Sequence, residues 1–356
     1  MKKYAAFGFL SILLISGCSA NNISNNESSE EPKPKQVNVF LMGGQSNMEG
    51  NTYFQDDKGK DYLRPALEEL GIDDGDCCYE GIPEVKTSYY GGATWFIGGN
   101  SMRGSNKANP FDGEFLDTKV GFGCGVPSVG GIGPELGLAY NLRDYFTKDE
   151  PVYLIKCAFG GSSMSGGGNW GWDPTISNGK SLYKDQFKTF VDKNLEDIEE
   201  IEGMKPTIKG FLWHQGENDS SSSAAKQYKT NLEKLVGQVR EDYADYAVDE
   251  DGKNIAFIDC YIYDKGDSDD ATMPCGAKLS DVKILNEQKR EFSEESDMNF
   301  IVNSSWQYED GLQLQIQIGN DDTAGGGIGQ QHYYTKDMFL LGQAYADIIV
   351  ENDLLD

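Results

Sequence analysis

Apolar residues in this chain come in short, almost unbroken runs that each stop at a glycine-rich polar cluster. Residues 37–42 (VNVFLM) lead into Gly43, Gly44, Gln45, Ser46 and Asn47, and 151–159 (PVYLIKCAF) lead into Gly160, Gly161 and Ser162. Residues 208–213 lead into His214, Gln215, Gly216 and Glu217, and a fourth run spans 255–263. Runs of this length bounded by glycine are the pattern of strands buried on both faces. Between them the period changes to that of a helix. Leu182, Phe187, Phe190, Val191, Leu195 and Ile198 share one face over 181–201, as do Tyr228, Leu232, Leu235, Val236 and Val239 over 224–243. Further helices are predicted from Glu135 to about 146, with Pro134 in the first turn, over 281–292, and over 335–350. Strands alternating with helices of this length pair in parallel through right-handed crossovers, so the predicted fold class is α/β, a three-layer α/β/α sandwich.

Two stretches depart from the alternation. Residues 312–318 (LQLQIQI) alternate strictly, which predicts a strand with one wet face, added antiparallel at a sheet edge. Residues 51–130 are rich in Gly, Asp and aromatics, including Trp95, and form a long insertion of the kind that builds a substrate wall beside a strand end.

The amino-terminal region carries an address rather than a fold. Lys2 and Lys3, the apolar stretch 5–15 and a small-residue site ending at Cys18 make residues 1–17 an export signal, too short to span a bilayer. The cysteine at that site resembles a bacterial lipobox, which implies a lipidated Cys18 and an exported lipoprotein held at a membrane, at the cell surface or in the periplasm, by that anchor alone. Residues 18–36 have almost nothing apolar and are expected to be a disordered tether, leaving 37–356 as the folded domain. The formal charge of −27 argues against nucleic acid or an anionic surface as partner. Two histidines and no CxxC leave little for a metal site. In an exported chain disulfides persist, and Cys124 is expected to join Cys77 or Cys78.

The candidate chemistry gathers at the strand ends. In an open parallel sheet the groups that follow the carboxyl ends of neighbouring strands converge, so Ser46, Gly160-Gly161 and Gln215-Gly216-Glu217 should share one site. A serine hydroxyl needs a base, and only His214 and His332 exist. GGQSNMEG, KCAFGGSSM, WHQGEND and a late histidine before LGQAYADII resemble the motif blocks of the SGNH (GDSL-type) hydrolases, in the branch of sialate O-acetylesterases and acetylxylan esterases. The resemblance runs from about 37 to 350.

This resemblance implies a mainly parallel, flavodoxin-like sheet, Ser46 as nucleophile and His332 as base, with His214 a packed ring. Relatives carry Asp three residues before the histidine, where this chain has Gly329; the acid is therefore Glu217 or, across a Gly-rich loop, Asp322. The implied oxyanion donors are the N–H groups of Ser46 and Gly161 and the side-chain amide of Gln215. Asn47 stands as a substrate contact or, with Gln45, as a brace of the turn. Trp95, Trp170 and Trp172 are candidate platforms for sugar rings, the last two equally candidates for packing. The implied activity is cofactor-free removal of O-acetyl groups from a glycan, of acetylxylan or sialate type. The alternatives are a general short-chain aryl or alkyl esterase and a catalytically weak surface glycan-binding lipoprotein.

Overall fold

Strand Gln36–Gly44 (β1) is the hub of a seven-stranded sheet because both of its faces are apolar. Val37, Val39 and Leu41 point into one core, while Phe40 and Met42 point into the other. This is a computed structural model, and it describes residues 35–356 except 57, 91–95, 98–99, 102–112, 127–129, 167–169, 178–179, 202, 250–251 and 318–330. Cys18, Trp95, Asp322 and Gly329, with the expected signal and most of the tether, lie outside the described residues.

The other strands are Ile82–Tyr89 (β2), Leu116–Thr118 (β3), Val152–Ala158 (β4), Lys205–His214 (β5), Ala256–Cys260 (β6) and Asn299–Val302 (β7). Their order across the sheet is β7-β6-β5-β1-β4-β2-β3, parallel throughout except for β3 against β2. Without β2 and β3, which come from the insertion, the order is that of a flavodoxin-like sheet, with the switch point on either side of β1.

Helices cover both faces. Thr189–Ile201 (α4), Tyr228–Asp242 (α5) and Leu279–Ser293 (α6) pack through Val191, Leu195, Leu232, Val236, Val282 and Leu285 onto the core that receives Val39 and Leu41. Leu63–Glu69 (α2), Glu135–Leu142 (α3) and Thr335–Glu351 (α7) pack through Leu67, Leu136, Leu138, Met338 and Leu341 onto the opposite core. The three-layer sandwich is thus the observed fold.

Three expectations are corrected. Residues 312–317 do not form a strand: among the described residues the only ladder contact there is an isolated bridge between Ile316 and Tyr333. Only 315–317 pair with another segment, 331–334, through Gln317 N–H to His332 O, Gln331 N–H to Gln317 O and Tyr334 N–H to Gln315 O. The Leu312 and Gln315 N–H groups go to Asn303 O and Asp337 Oδ1, so the pairing is too short to make a strand among the described residues. The insertion is less irregular than its composition suggests, since β2 buries Ile82, Val85 and Tyr89 and pairs with β4. No disulfide joins any of the six described cysteines. Cys78 is buried in the core, and Cys77 turns instead toward Arg143, whose Nη1 donates to its Sγ at 3.3 Å.

Candidate active site

The carboxyl ends of β4, β1 and β5 lie side by side, and each carries one of the glycine-rich clusters. The turn after β1 is tight. Gly44 adopts φ 145°, and a Cβ there would lie 2.2 Å from the His214 carbonyl oxygen, so the site accepts only glycine. Gln45 N–H donates to that same oxygen at 2.9 Å, and a short helix, Ser46–Glu49 (α1), starts at once. Ser46 therefore stands in the first turn of a helix, where backbone donors have no intrahelical partner. It is nearly buried, and the position a Cβ would take on Gly160 is 3.5 Å from its Cβ, so the loop after β4 passes directly beside it.

Asn47 ties this turn to two other segments. Its Nδ2 donates to Glu217 Oε1 at 2.7 Å and to the Gln331 carbonyl at 3.3 Å. Ser46 and His332 are thereby linked through their sequence neighbours. Gln331 has φ 80°, a conformation uncommon for a non-glycine residue, immediately before the candidate base. Among the described residues the Ser46 hydroxyl makes no direct hydrogen bond to the His332 ring. Such contacts commonly tighten only in the substrate complex. His332 itself is 7% exposed.

His214 has a different environment. Its ring is fully buried, Nε2 meets the Tyr333 hydroxyl at 3.1 Å, and burial, helped by the charge of Lys289, pushes its pKa well below the ordinary value. It is a packed neutral ring at the end of β5.

Glu217 is half-buried as a residue, yet its carboxylate head is enclosed, and Oε2 has no hydrogen-bond partner among the described residues. Burial pushes its pKa up, against the lowering effect of its own backbone N–H, the Asn47 amide and the charge of Lys289. The other candidate acid, Asp322, lies outside the described residues.

The oxyanion donors divide. Gly161, at φ 71°, has its carbonyl held by Asn218 Nδ2, which ties the loop after β4 to the loop after β5. Its own N–H makes no hydrogen bond among the described residues. The side chain of Gln215 is in the wrong place for the role expected of it. It is fully buried, and its two amide hydrogens are shared among Asp219 Oδ2 (2.6 Å), Ser162 O (3.1 Å) and Gln45 Oε1 (3.2 Å), while its own oxygen accepts from Tyr228 (2.7 Å). Gln215 is a strut between the three loops.

Trp172 is likewise corrected. It is fully buried, edge-on to Trp213 with ring centroids 4.9 Å apart, and its indole N–H donates to Ser162 Oγ at 2.8 Å. It packs the core and has no surface for a sugar. Trp170 is partly buried against the same core. Asn47 acts as a brace, with both amide hydrogens spent. Sequence reading missed Glu49, whose Oε2 accepts the Gly160 N–H at 2.8 Å and so sets the height of the β4 loop over Ser46. Its signal was a charged residue one turn after the candidate nucleophile, in an otherwise buried block.

Residues 107–249 match the family model described as carbohydrate esterase, sialic acid-specific acetylesterase. The match covers the second and third motif blocks, and Ser46 and His332 fall outside it. Among solved structures, the chain is similar to NanS, at TM-score 0.54 and 14% identity over 89% of this chain and 98% of that one. It is also similar to a protein from Arabidopsis thaliana, at TM-score 0.51 and 16% identity over 90% of this chain and 99% of that one. At such identities the likeness establishes the fold. No curated protein sequence matches.

Proposed function

We propose that this chain is an SGNH-type serine carbohydrate esterase of the sialate O-acetylesterase family that removes O-acetyl groups from a glycan of sialate or acetylxylan type, a reading supported by the family match over residues 107–249 and by the fold shared with NanS. The observation that carries the reading is the Asn47 amide, which holds Glu217 and the residue before His332 against the turn that presents Ser46.

In this mechanism Ser46 Oγ attacks the acetyl carbonyl while His332 takes its proton. The negative charge that develops on the carbonyl oxygen is met by the N–H groups of Ser46 and Gly161, donors of a kind worth about two to three powers of ten each in rate. The C–O bond to the sugar then breaks, the sugar oxygen receives the proton from His332, and the acetyl group stays on Ser46. Water, deprotonated by His332, attacks that ester and releases acetate. Ionised Glu217 stabilises the imidazolium formed in both halves. No step calls for a cofactor. The protein would work on exported material, anchored through a lipid on Cys18.

Acetate release from O-acetylated sialic acid and from acetylated xylan, measured for wild type and Ser46→Ala, tests this reading. Loss of at least about a thousandfold in the variant is expected. Equal slow rates in both proteins would instead support a glycan-binding lipoprotein. Metabolic labelling with a fatty-acid analogue, lost in Cys18→Ala, tests the anchor.

A further inference from the structure

A cavity of about 320 Å³ opens between α2 and the start of α7, lined in part by Tyr62, Ala66, Gln315, Tyr334 and Asp337. Its volume is at the lower end of the range for small-molecule sites, and its walls mix aromatic faces with a few polar heads. The cavity stands beside the catalytic machinery. Tyr334 is two residues beyond His332, so their Cα atoms lie within about 7 Å of each other. Tyr62 hangs on the segment that leaves the Ser46 turn, with its N–H on Phe54 O at 2.8 Å. That segment is fastened to the His332 segment twice: Thr52 Oγ1 donates to Tyr333 O at 2.8 Å, and Thr335 Oγ1 donates to Tyr53 O at 2.6 Å. Both walls of the cavity are thus extensions of the two loops that carry the nucleophile and the base.

The lining narrows the ligand. Asp61 is committed, taking the Tyr79 hydroxyl at 2.8 Å on each oxygen and the Leu63 N–H at 2.9 Å. Lys336 and Glu69 neutralise each other at 2.6 Å. Lys60 covers the Tyr62 ring, 4.5 Å from its centroid. With Lys60 and Lys336 against Asp61, Glu69 and Asp337 the lining is net negative, which disfavours an anionic ligand, and an acyl chain would strand these polar heads. A neutral sugar suits both kinds of wall: its C–H faces pack on Tyr62 and Tyr334, and its hydroxyls reach the Asp337 carboxyl and the Gln315 amide.

Resting on the esterase reading above, we infer that this cavity is a subsite for a neutral pyranose of the glycan, next to the residue whose acetyl group reaches Ser46. It makes the protein an enzyme of oligosaccharides rather than of single acetylated sugars.

The test separates this inference from the activity itself. Calorimetric titration of Ser46→Ala with xylohexaose, cellohexaose and mannohexaose reads the subsite without turnover. At least one hexasaccharide should bind, and the added change Tyr62→Ala should weaken it about tenfold or more while Tyr62→Phe preserves it. In the active enzyme, Tyr62→Ala should raise the KM for an acetylated hexasaccharide by a similar factor with kcat little changed, and the Phe variant should restore it. Absence of binding to all three glycans, or equal binding by Tyr62→Ala with an unchanged thermal midpoint, overturns the subsite whether or not acetate is released. Absence of acetate release with binding intact overturns the esterase reading and leaves the subsite standing.

Discussion

Asn47 spends both hydrogens of a single amide on two different strand-end loops, and this makes it the residue whose loss should be most informative. Asn47→Leu keeps the volume and removes both bonds. The Gln331 carbonyl is then free to move, and a displacement of about 1 Å at a catalytic group costs on the order of a hundredfold in rate. Glu217 also loses a hydrogen bond that holds its pKa down, so its pKa rises further. In the proposed mechanism the ionised carboxylate is the working form, so the acid limb of the kcat–pH profile should move to higher pH. A fall in kcat with an unmoved profile would make Asn47 merely structural. The two histidines give a second contrast. His332→Ala should cost at least about a thousandfold in acetate release, whereas His214→Phe should stay within a few-fold of wild type and lose about 1 kcal/mol of stability with its bond to Tyr333. At this scale the sequence located every strand-end cluster but not where each side chain points. Gln215 and Glu217 are two residues apart, yet one turns into the interior and the other toward Asn47. Spacing alone carries no signal for that.

Among elements, those with a strong apolar period were legible and those defined by their partners were not. The runs at 37–42, 151–159 and 208–213 became β1, β4 and β5 because burial on both faces leaves them no alternative. The alternation at 312–318 holds as facing only at Leu314 and Ile316, which are buried, while Leu312 is exposed and Gln317 buried, and facing does not supply a neighbouring strand. Asp322 and Trp95 fall outside the described residues, so those expectations stand where the sequence left them. The junction of β1 with α1 yields the prediction that belongs to this scale. In Gly44→Ala the new methyl group meets the His214 carbonyl, and the backbone at φ 145° is disfavoured for alanine as well. Urea unfolding should show a loss of about 2 kcal/mol or more, with activity falling further than stability because Ser46 follows two residues later. A fully active, equally stable variant would mean that the turn has another form.

For the whole molecule, buried carboxylates and net charge act in one direction over a defined window, opposed by His214, whose lowered pKa costs stability as pH falls below about 6.5. Burial pushes both Asp219 and Asp337 up to about 6, from the ordinary value of 3.8. Between those two pH values the folded protein holds protons that the unfolded chain has released, so stability falls as pH rises through the window. Each group contributes up to about 2–3 kcal/mol to that slope. The formal charge of −27 adds self-repulsion that also grows as carboxylates ionise. The opposing carboxylates, Asp74 held down chiefly by Tyr140 and Glu287 chiefly by Arg290, lose their stabilising effect only as pH falls below 3.8 to 4.5 and toward their lowered values. Thermal midpoints should therefore be higher near pH 5 than at pH 8, and added salt should narrow the gap from the alkaline side by screening the repulsion. Asp337→Asn keeps an acceptor for the Gln315 N–H and removes the titration, so it should flatten the profile between pH 4 and 6 and stabilise the protein at pH 8. A wild-type midpoint that climbs steadily from pH 5 to pH 8 would show that the buried acids are ionised at no cost, and that the interior around them is wetter than their enclosure implies.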